Sequence, residues 1–350
     1  MGILLGFCTG MVYLYRMKRA LISVGIFVGL LAVVAVAMEL TASQQQLRAR
    51  YFRTRSVFQY DKEHVVFDPV LGYRLTPRMD VTFDNTEFST RVRTNAVGFR
   101  DDDASLNAPD VLFLGDSYAF GWGVNEEEGV EKQYERLTGK KVLNMAVPGY
   151  GNVQELLMLY KWEGSAQVQG KKIFLFLSPN DLLDNENTSF GAFPYFVEQA
   201  GSFRIHEPAT AGFDEWQTAV DEWHIKAPIA RRNMLAYYCL NALKNIRVKD
   251  LYKDHLSGER AVKGTKAFVL VAEELARFAK ETQCALTIVY IPAMDAEHNK
   301  YMPLVRDVCA KLGLQFADLG QVITPEDVYP MDMHWKASGH SKAAALVSAL

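Results

Sequence analysis

Apolar and polar positions alternate along residues 110–350 in the rhythm of strands and helices. Short continuous apolar runs are typical of strands buried on both faces, and they lie at 111–114, 142–147, 173–177, 285–291 and 314–319. Patterns with helical spacing lie between these runs, at 126–138, 152–163, 262–281 and 296–312. The alternation predicts an α/β fold with a central parallel five-stranded sheet that is covered by helices on both faces.

A different hydrophobic pattern lies near the N-terminus. Residues 20–38 carry no charge and are long enough to cross a bilayer. Arg16, Lys18 and Arg19 stand directly before them, and positive flanks tend to stay in the cytoplasm. We therefore expect a cytoplasmic segment 1–19, a single membrane span and an extracytoplasmic remainder.

Two alternatives remain open at this end of the chain. Ala35-Val36-Ala37 resembles a signal-peptidase site, so secretion after cleavage near Ala37 is an alternative to the anchor. Met17 precedes the positive flank directly and is an alternative to Met1 as the start of the protein.

The rest of the chain divides into three segments, and the last of them contains an insertion. We expect a juxtamembrane linker or helix at 39–64, a small β-rich extension at 65–109 packed on the main domain, and the main domain at 110–350. An insertion at 185–260 is too long for a connection, and we interpret it as a lid or helical insertion at the substrate face. Its aromatic residues are equally compatible with packing onto the core; they are Phe190, Phe193, Tyr195, Phe196, Phe203, Trp216, Trp223, Tyr237 and Tyr238.

Composition excludes several classes of function. The net charge of −3 offers no basic surface for nucleic acid. The four cysteines, at 8, 239, 284 and 309, are widely spaced, so neither a zinc site nor a disulfide framework is indicated. We expect no cofactor and no metal, because nothing else in the chain supplies ligands to match Asp332, His334 and His340.

Polar residues follow the predicted strands at the points where those strands end. Ser117 follows the first strand, Gly149 lies in the glycine-containing turn after the second, and Asn180 follows the third. Asp332 and His334 come after the fifth strand. Because ligands bind outside the carboxyl ends of strands in open α/β sheets, we expect these residues on one rim.

This set of residues suits ester chemistry. A serine hydroxyl needs a base, and an imidazole needs a carboxylate that fixes its tautomer, so Ser117, His334 and Asp332 are candidates for nucleophile, base and partner. The Ser117 and Gly149 amides and the Asn180 side chain are candidate donors to an oxyanion.

Each of these residues also has a simpler structural interpretation. Ser117 could merely cap a helix, and Gly149 and Asn180 could merely form turns. We interpret Asp116 as a structural hydrogen-bonding residue, His340 as a surface or packed group, and Arg100 as a member of a structural salt bridge.

The chain resembles the SGNH (GDSL-type) hydrolases over roughly residues 110–350. The matching blocks are Gly115-Asp116-Ser117-Tyr118, Gly149, Asn180-Asp181 and the Asp332/His334 segment, in the order of that family. The resemblance implies a flavodoxin-like three-layer α/β/α sandwich with Ser117 as nucleophile, Gly149 and Asn180 as oxyanion donors, and Asp332 and His334 as a pair.

Three departures from the family pattern carry information. Tyr118 stands where leucine is usual, and Ser178 replaces the glycine of the usual Gly-x-Asn-Asp block. Only one residue separates Asp332 from His334, where the family usually has two. The resulting Asp-x-His-Trp arrangement is similar to that of SGNH-like enzymes that acetylate exported polysaccharides.

Three functions compete at this point. The first is hydrolysis of an O-acyl ester, with acetyl on a carbohydrate as the expected group, through an acyl-Ser117 intermediate. The second is transfer of that acyl group to a hydroxyl of an exported polysaccharide by the same residues. The third is a non-catalytic glycan-binding or assembly module. The expected partners are an ester or glycan substrate, the membrane through residues 20–38, and polysaccharide-assembly proteins.

Overall fold

The structure is a computed structural model, and it forms two compact units: residues 1–54 with 222–249, and residues 55–221 with 250–350. It describes residues 2–41, 43, 46–47, 49–51, 58, 61–162, 164–165, 167–185, 193–199, 202–208, 212, 214, 233–247, 258–292 and 301–350.

The described residues contain the following regular elements. The helices are α1 (Gly2–Leu40), α2 (Ser117–Phe120), α3 (Val130–Thr138), α4 (Asn152–Lys161), α5 (Pro179–Asp184), α6 (Met234–Arg247), α7 (Gly258–Glu281), α8 (Met302–Leu312) and α9 (Ala337–Ser348). The strands are β1 (Val65–Asp68), β2 (Gly72–Leu75), β3 (Asp80–Asp84), β4 (Ser89–Arg93), β5 (Val111–Gly115), β6 (Val142–Asn144), β7 (Lys172–Leu177), β8 (Tyr195–Gln199), β9 (Ser202–His206), β10 (Ala285–Tyr290) and β11 (Gln315–Asp318).

A five-stranded parallel sheet forms the centre of the larger unit. Its order is β6-β5-β7-β10-β11, with every neighbouring pair parallel. Renumbered by their succession in this sheet, the strands follow the flavodoxin-like order 2-1-3-4-5. All five predicted strands are present within a few residues, so the predicted fold class is confirmed.

Helices cover both faces of this sheet. Helix α3 packs against α9, whereas α4 and α8 both pack against α7. The connection from β5 to β6 crosses the sheet in the opposite direction from the later connections. Right-handed crossovers therefore place α3 on one face and α4, α7 and α8 on the other.

One predicted helix begins later than expected, and the predicted start of another cannot be compared. The pattern at 126–138 is interrupted at Gly129, whose extended backbone (φ −63°, ψ 154°) separates a 3-10 turn (Glu126–Glu128) from α3. The pattern at 296–312 gives α8 from Met302 onward, and its predicted start lies outside the described residues.

The extension before the sheet consists of two β-hairpins, β1–β2 and β3–β4. The first is held by the Tyr73 hydroxyl, which donates to the carbonyl of Pro148. The second packs through Phe83, whose ring lies 4.8 Å from that of Trp122. These contacts attach both hairpins to loops at the carboxyl edge of the sheet.

Within the described part of the chain, Arg100 does not form the structural salt bridge that we expected. Its buried guanidinium donates instead to backbone carbonyls, including those of Phe120 (3.1 Å) and Val124 (2.7 Å). The loop that follows α2 has no regular hydrogen-bond pattern, so several carbonyl groups there lie close together outside regular structure. The N–H groups of one guanidinium can donate to all of them.

The insertion at 185–260 is only partly helical. Its described portion contains the β8–β9 hairpin as well as α6. Phe196 is buried, and Phe193 lies 6.1 Å from Tyr73 between ring centroids. Phe190, Trp216 and Trp223 lie outside the described residues, as does most of the segment between the hairpin and α6.

The smaller unit is built on α1. The 26 residues Tyr15–Leu40 of this helix include an 18-residue window with a mean hydropathy of 2.8 and none of it buried, so the helix is long and apolar enough to span a membrane. Such a helix fits either a single-pass anchor or a signal sequence. Within the same unit, Glu39 accepts a hydrogen bond from the backbone of Met234 (2.6 Å), which joins the end of α1 to the start of α6.

His340 in α9 makes the stability of the fold depend on pH. Burial and the nearby positive charge of Arg100 lower the pKa of His340 to about 3. The unfolded chain binds a proton near pH 6.5. Stability is therefore fully present above pH 6.5 and is lost as pH falls toward the folded-state pKa.

We expect wild-type stability to fall by about 2 kcal/mol more than that of His340→Leu between pH 7 and pH 5. Urea unfolding of the chain in detergent micelles measures this through tryptophan fluorescence, since Trp335 lies 5.3 Å from the His340 ring. Parallel pH curves for the two proteins would contradict a buried, neutral His340.

Candidate active site

Ser117 follows strand β5 directly after a sharp turn at Gly115 and Asp116. Gly115 has φ +147°, and a Cβ atom there would lie 2.9 Å from both Ala119 and the carbonyl of Phe176, so only glycine fits. Asp116 then caps α2, with its carboxylate accepting from the backbone of Tyr118 (2.9 Å). The cap is thus Asp116, whereas Ser117 is the first residue of the helix and its side chain is available for other contacts.

Ser117, His334 and Asp332 form a chain of hydrogen bonds. The Ser117 Oγ lies 2.6 Å from Nε2 of His334. The Nδ1 of His334 contacts the Asp332 carboxylate on its other side. The His334 side chain is 21% exposed and that of Asp332 only 4%, so the imidazole stays accessible while the carboxylate beside it is desolvated. This is the arrangement in which an imidazole can take the serine proton and a carboxylate fixes its tautomer.

The single residue between Asp332 and His334 adopts an unusual conformation. Met333 has φ +73°, which places its backbone in the left-handed region that residues other than glycine, asparagine and aspartate rarely adopt. Its N–H donates to the Tyr329 carbonyl (3.0 Å), and Tyr329 N–H donates to the His334 carbonyl (2.8 Å). This tight loop lets the short Asp-x-His spacing bring the carboxylate to the imidazole.

Aromatic rings hold the imidazole in place. The centroids of Tyr118 and Trp122 lie 4.8 Å and 5.6 Å from that of His334. The Tyr118 hydroxyl donates to the carbonyl of Met333 (3.2 Å), and burial raises the pKa of Tyr118, so this donor stays protonated. Tyr118, which stands where leucine is usual in the family pattern, therefore packs against the His334 ring.

Gly149 and Asn180, the two further oxyanion candidates, lie on the loops that follow β6 and β7. The loop after β6 stays beside the nucleophile turn because Val147 N–H donates to the Gly115 carbonyl (3.1 Å). Gly149 is exposed there with φ +82°. The exposed Asn180 side chain contacts Ser178 Oγ (2.5 Å) and Asp181 (3.3 Å). Among the described residues, neither candidate is hydrogen bonded to the Ser117 side chain.

Buried carboxyl groups lie behind the nucleophile turn. Ser178 Oγ is 3.0 Å from both Asp116 and Asp181, and Asn152 bridges Asp181 (3.5 Å) and Glu155 (2.8 Å). Burial raises the pKa of Glu155 to about 8, and burial with the neighbouring carboxylates raises that of Asp181 well above its usual range. Asp181 also accepts from the Ser178 N–H (2.9 Å), and the raised pKa values of Asp181 and Glu155 favour the protonated forms of these carboxyl groups.

Potential metal ligands do not cluster in the described part of the chain. No group of three or more His, Cys, Asp or Glu side chains there could hold a metal ion. His340 is buried against Trp335, which matches the interpretation of a packed group. Cys239, Cys284 and Cys309 are free thiols.

Sequence reasoning missed two residues that contact the Asp332 segment, namely Asn85 and Glu87 in the β3–β4 turn. They lie 247 and 245 residues from Asp332 in the chain and belong to no block of the family pattern. No local signal would have found them.

If Asn180 is an oxyanion donor, Asn180→Ala should lower kcat for an activated acetyl ester by about 10²- to 10³-fold, because the developing charge loses one donor. Initial rates normalised to the phosphonate-titrated site concentration measure the loss. Asn107→Ala, at an exposed asparagine outside the site, is the control. A kcat equal to that of the control would leave Asn180 as a turn residue.

Comparison with known proteins gives structural neighbours only. No family model matches the chain, and no curated protein matches it. The chain is similar in structure to TesA, with 10% sequence identity and a TM-score of 0.39 over 68% of this chain and 94% of TesA. It is also similar to an acetyl xylan esterase (Est2A) from the rumen bacterium Butyrivibrio proteoclasticus, with 12% identity and a TM-score of 0.35 over 68% of this chain and 62% of that chain.

A third neighbour is described as a lipolytic protein of the G-D-S-L family, from Desulfitobacterium hafniense DCB-2. It has 12% identity and a TM-score of 0.36 over 68% of this chain and 97% of that chain. These TM-scores are too low to carry a functional conclusion, which must come from the side chains of this chain.

Proposed function

We propose that this chain is an extracytoplasmic serine esterase of the SGNH type that removes O-acyl groups, with acetyl on a carbohydrate as the favoured substrate. One observation carries the proposal: Ser117 Oγ lies 2.6 Å from His334 Nε2, while Asp332 contacts the other ring nitrogen. Such a pairing activates a weak nucleophile at neutral pH.

The reaction follows from this geometry. His334 Nε2 takes the Ser117 proton as Oγ forms a bond to the acyl carbon, and the carbonyl oxygen becomes an oxyanion. Collapse of this intermediate breaks the bond to the alcohol, which leaves with the proton from His334. Water then attacks acyl-Ser117, giving its proton to His334, and the second collapse releases the carboxylic acid and restores the serine.

The proposed location rests on α1. Three basic residues, Arg16, Lys18 and Arg19, precede the apolar part of this helix. Retention of that flank in the cytoplasm would place the larger unit outside the cytoplasm. An anchored enzyme in that compartment would meet exported glycans, which supports a carbohydrate ester as the substrate.

The decisive experiment is intact-mass analysis of the chain in detergent micelles after brief incubation with p-nitrophenyl acetate. We expect a mass increment of one acetyl group that peptide mapping assigns to Ser117 and that Ser117→Ala lacks. Adding a glycan acceptor then separates the alternatives: free acetate indicates a hydrolase, and acetylated acceptor indicates a transferase. A chain inert to both acyl esters and serine-directed phosphonates would favour a binding module.

A further inference from the structure

The turn between β3 and β4 contacts the acidic member of the Ser117–His334–Asp332 set. The Asn85 side-chain amide donates to Oδ2 of Asp332 (3.2 Å). The other oxygen of this carboxylate, Oδ1, contacts His334. Asn85 and His334 therefore bind opposite oxygens of one carboxylate, and the hydrogen-bond chain extends from Ser117 to the hairpin.

The orientation of the Asn85 amide follows from its two partners. An ionised carboxylate only accepts hydrogen bonds, so the Nδ2 group is the one that faces Asp332, and the Thr86 hydroxyl donates to Oδ1 of Asn85 on the other side (3.3 Å). A neutral donor at this position favours the ionised form of Asp332 without supplying a competing charge.

Glu87, on the same turn, holds the backbone of the Asp332 segment. Its carboxylate accepts from the N–H groups of Met331 (3.1 Å) and Asp332 (2.7 Å). These bonds lie directly before Met333, whose positive φ must be held by its surroundings. Glu87 thereby helps to fix the loop that carries both Asp332 and His334.

The hairpin is itself firmly attached to the nucleophile side of the site. Phe83 packs on Trp122, which in turn packs on His334. Phe88 lies 5.2 Å from Tyr329, whose hydroxyl donates to the carbonyl of Gly123 (2.9 Å). The turn is therefore connected to the site through packed aromatic rings on both sides.

We infer that Asn85 is a positioning residue of the active site, acting through Asp332, and that the β3–β4 hairpin is part of the catalytic apparatus. The inference rests on the proposed esterase function. It adds a fourth residue to the hydrogen-bond chain, contributed by the segment before the sheet.

Other ionisable groups also contribute to the electrostatics around Asp332 and His334, and the variants used in the test leave all of them unchanged. They are Asp116 and Tyr118 from the nucleophile turn, Glu87 from the hairpin, Tyr329 from the loop and His340 from α9.

The test is Asn85→Asp, with Asn125→Asp as the matched control. The control substitution adds the same charge. Asn125 also contacts the hairpin, because its side chain accepts from Arg91 N–H (3.2 Å). It occupies the capping position of a 3-10 turn, where aspartate is tolerated. An extra carboxylate beside Asp332 favours the protonated imidazole of His334. We expect the acid limb of kcat/KM for p-nitrophenyl acetate to move to higher pH by about one unit in Asn85→Asp and to stay in place in Asn125→Asp.

A second variant covers the effect on rate. Asn85→Ala removes a hydrogen bond to a charged group, so kcat normalised to phosphonate-titrated sites should fall about 10- to 100-fold. The KM should stay unchanged, because Asn85 acts through Asp332. A raised KM with an unchanged kcat, or no change in either constant, would overturn the inference.

A titration of the histidine rings by NMR, with selectively labelled chain in detergent micelles, separates this inference from the proposed function. A raised His334 titration midpoint in Asn85→Asp but not in Asn125→Asp supports positioning even if the wild-type chain turns over no ester. Active wild-type enzyme with an unmoved midpoint in Asn85→Asp would overturn the inference and leave the esterase function standing.

Discussion

Ser117→Ala should lower kcat for p-nitrophenyl acetate on the order of 10⁶-fold, down to what the remaining site contributes without a nucleophile. The physical reason is that the Oγ atom is lost, so no acyl-enzyme can form and His334 has no proton to take. The oxyanion donors and substrate contacts remain, and they leave a small rate above that of water. Initial rates of the purified chain in detergent micelles measure the effect.

The control for this substitution is Ser165→Ala. Ser165 Oγ donates to the carbonyl of Trp162 (2.6 Å), outside the active site, so its loss should leave turnover near the wild-type value. Unfolding midpoints close to wild type for both variants would show that the folded fraction is unaffected. A Ser117→Ala enzyme that retains wild-type turnover would exclude Ser117 as the nucleophile.

Asp332→Asn should lower kcat at neutral pH by about 10⁴-fold while leaving the fold intact. An amide at this position can donate to Nδ1 of His334, which stabilises the tautomer with a proton on Nε2. That tautomer cannot accept the Ser117 proton. The pH dependence of kcat, with site concentration fixed by phosphonate titration, measures the loss.

A matched control for Asp332→Asn is Asp318→Asn. The Asp318 carboxylate caps a short turn after β11 by accepting from Gly320 N–H (2.7 Å), and it has no contact with the imidazole. We expect nearly wild-type kcat for it. The double variant Ser117→Ala, Asp332→Asn should be no slower than Ser117→Ala alone, because the two residues act as one unit. Additive losses would contradict the proposed hydrogen-bond chain.

Much of the larger unit was predictable because its information is local. Strands such as Val111–Gly115 and Lys172–Leu177 are continuous apolar runs, since both of their faces are buried. The rule that binding residues follow the carboxyl ends of parallel strands then places Ser117, Asn180 and the Asp332/His334 segment on one edge. The mutual contacts of Ser117, His334 and Asp332 match that expectation.

The sequence by itself therefore determined the five strands of the sheet and the edge of the sheet at which the polar residues lie. The tertiary structure decided the rest: the left-handed backbone of Met333, the carbonyls gathered around Arg100, and the contacts of Asn85 and Glu87 with a segment some 245 residues away. Apolar periodicity and turn propensity act over a few residues. A hydrogen bond between distant segments depends on the whole path of the chain, and no local pattern encodes that path.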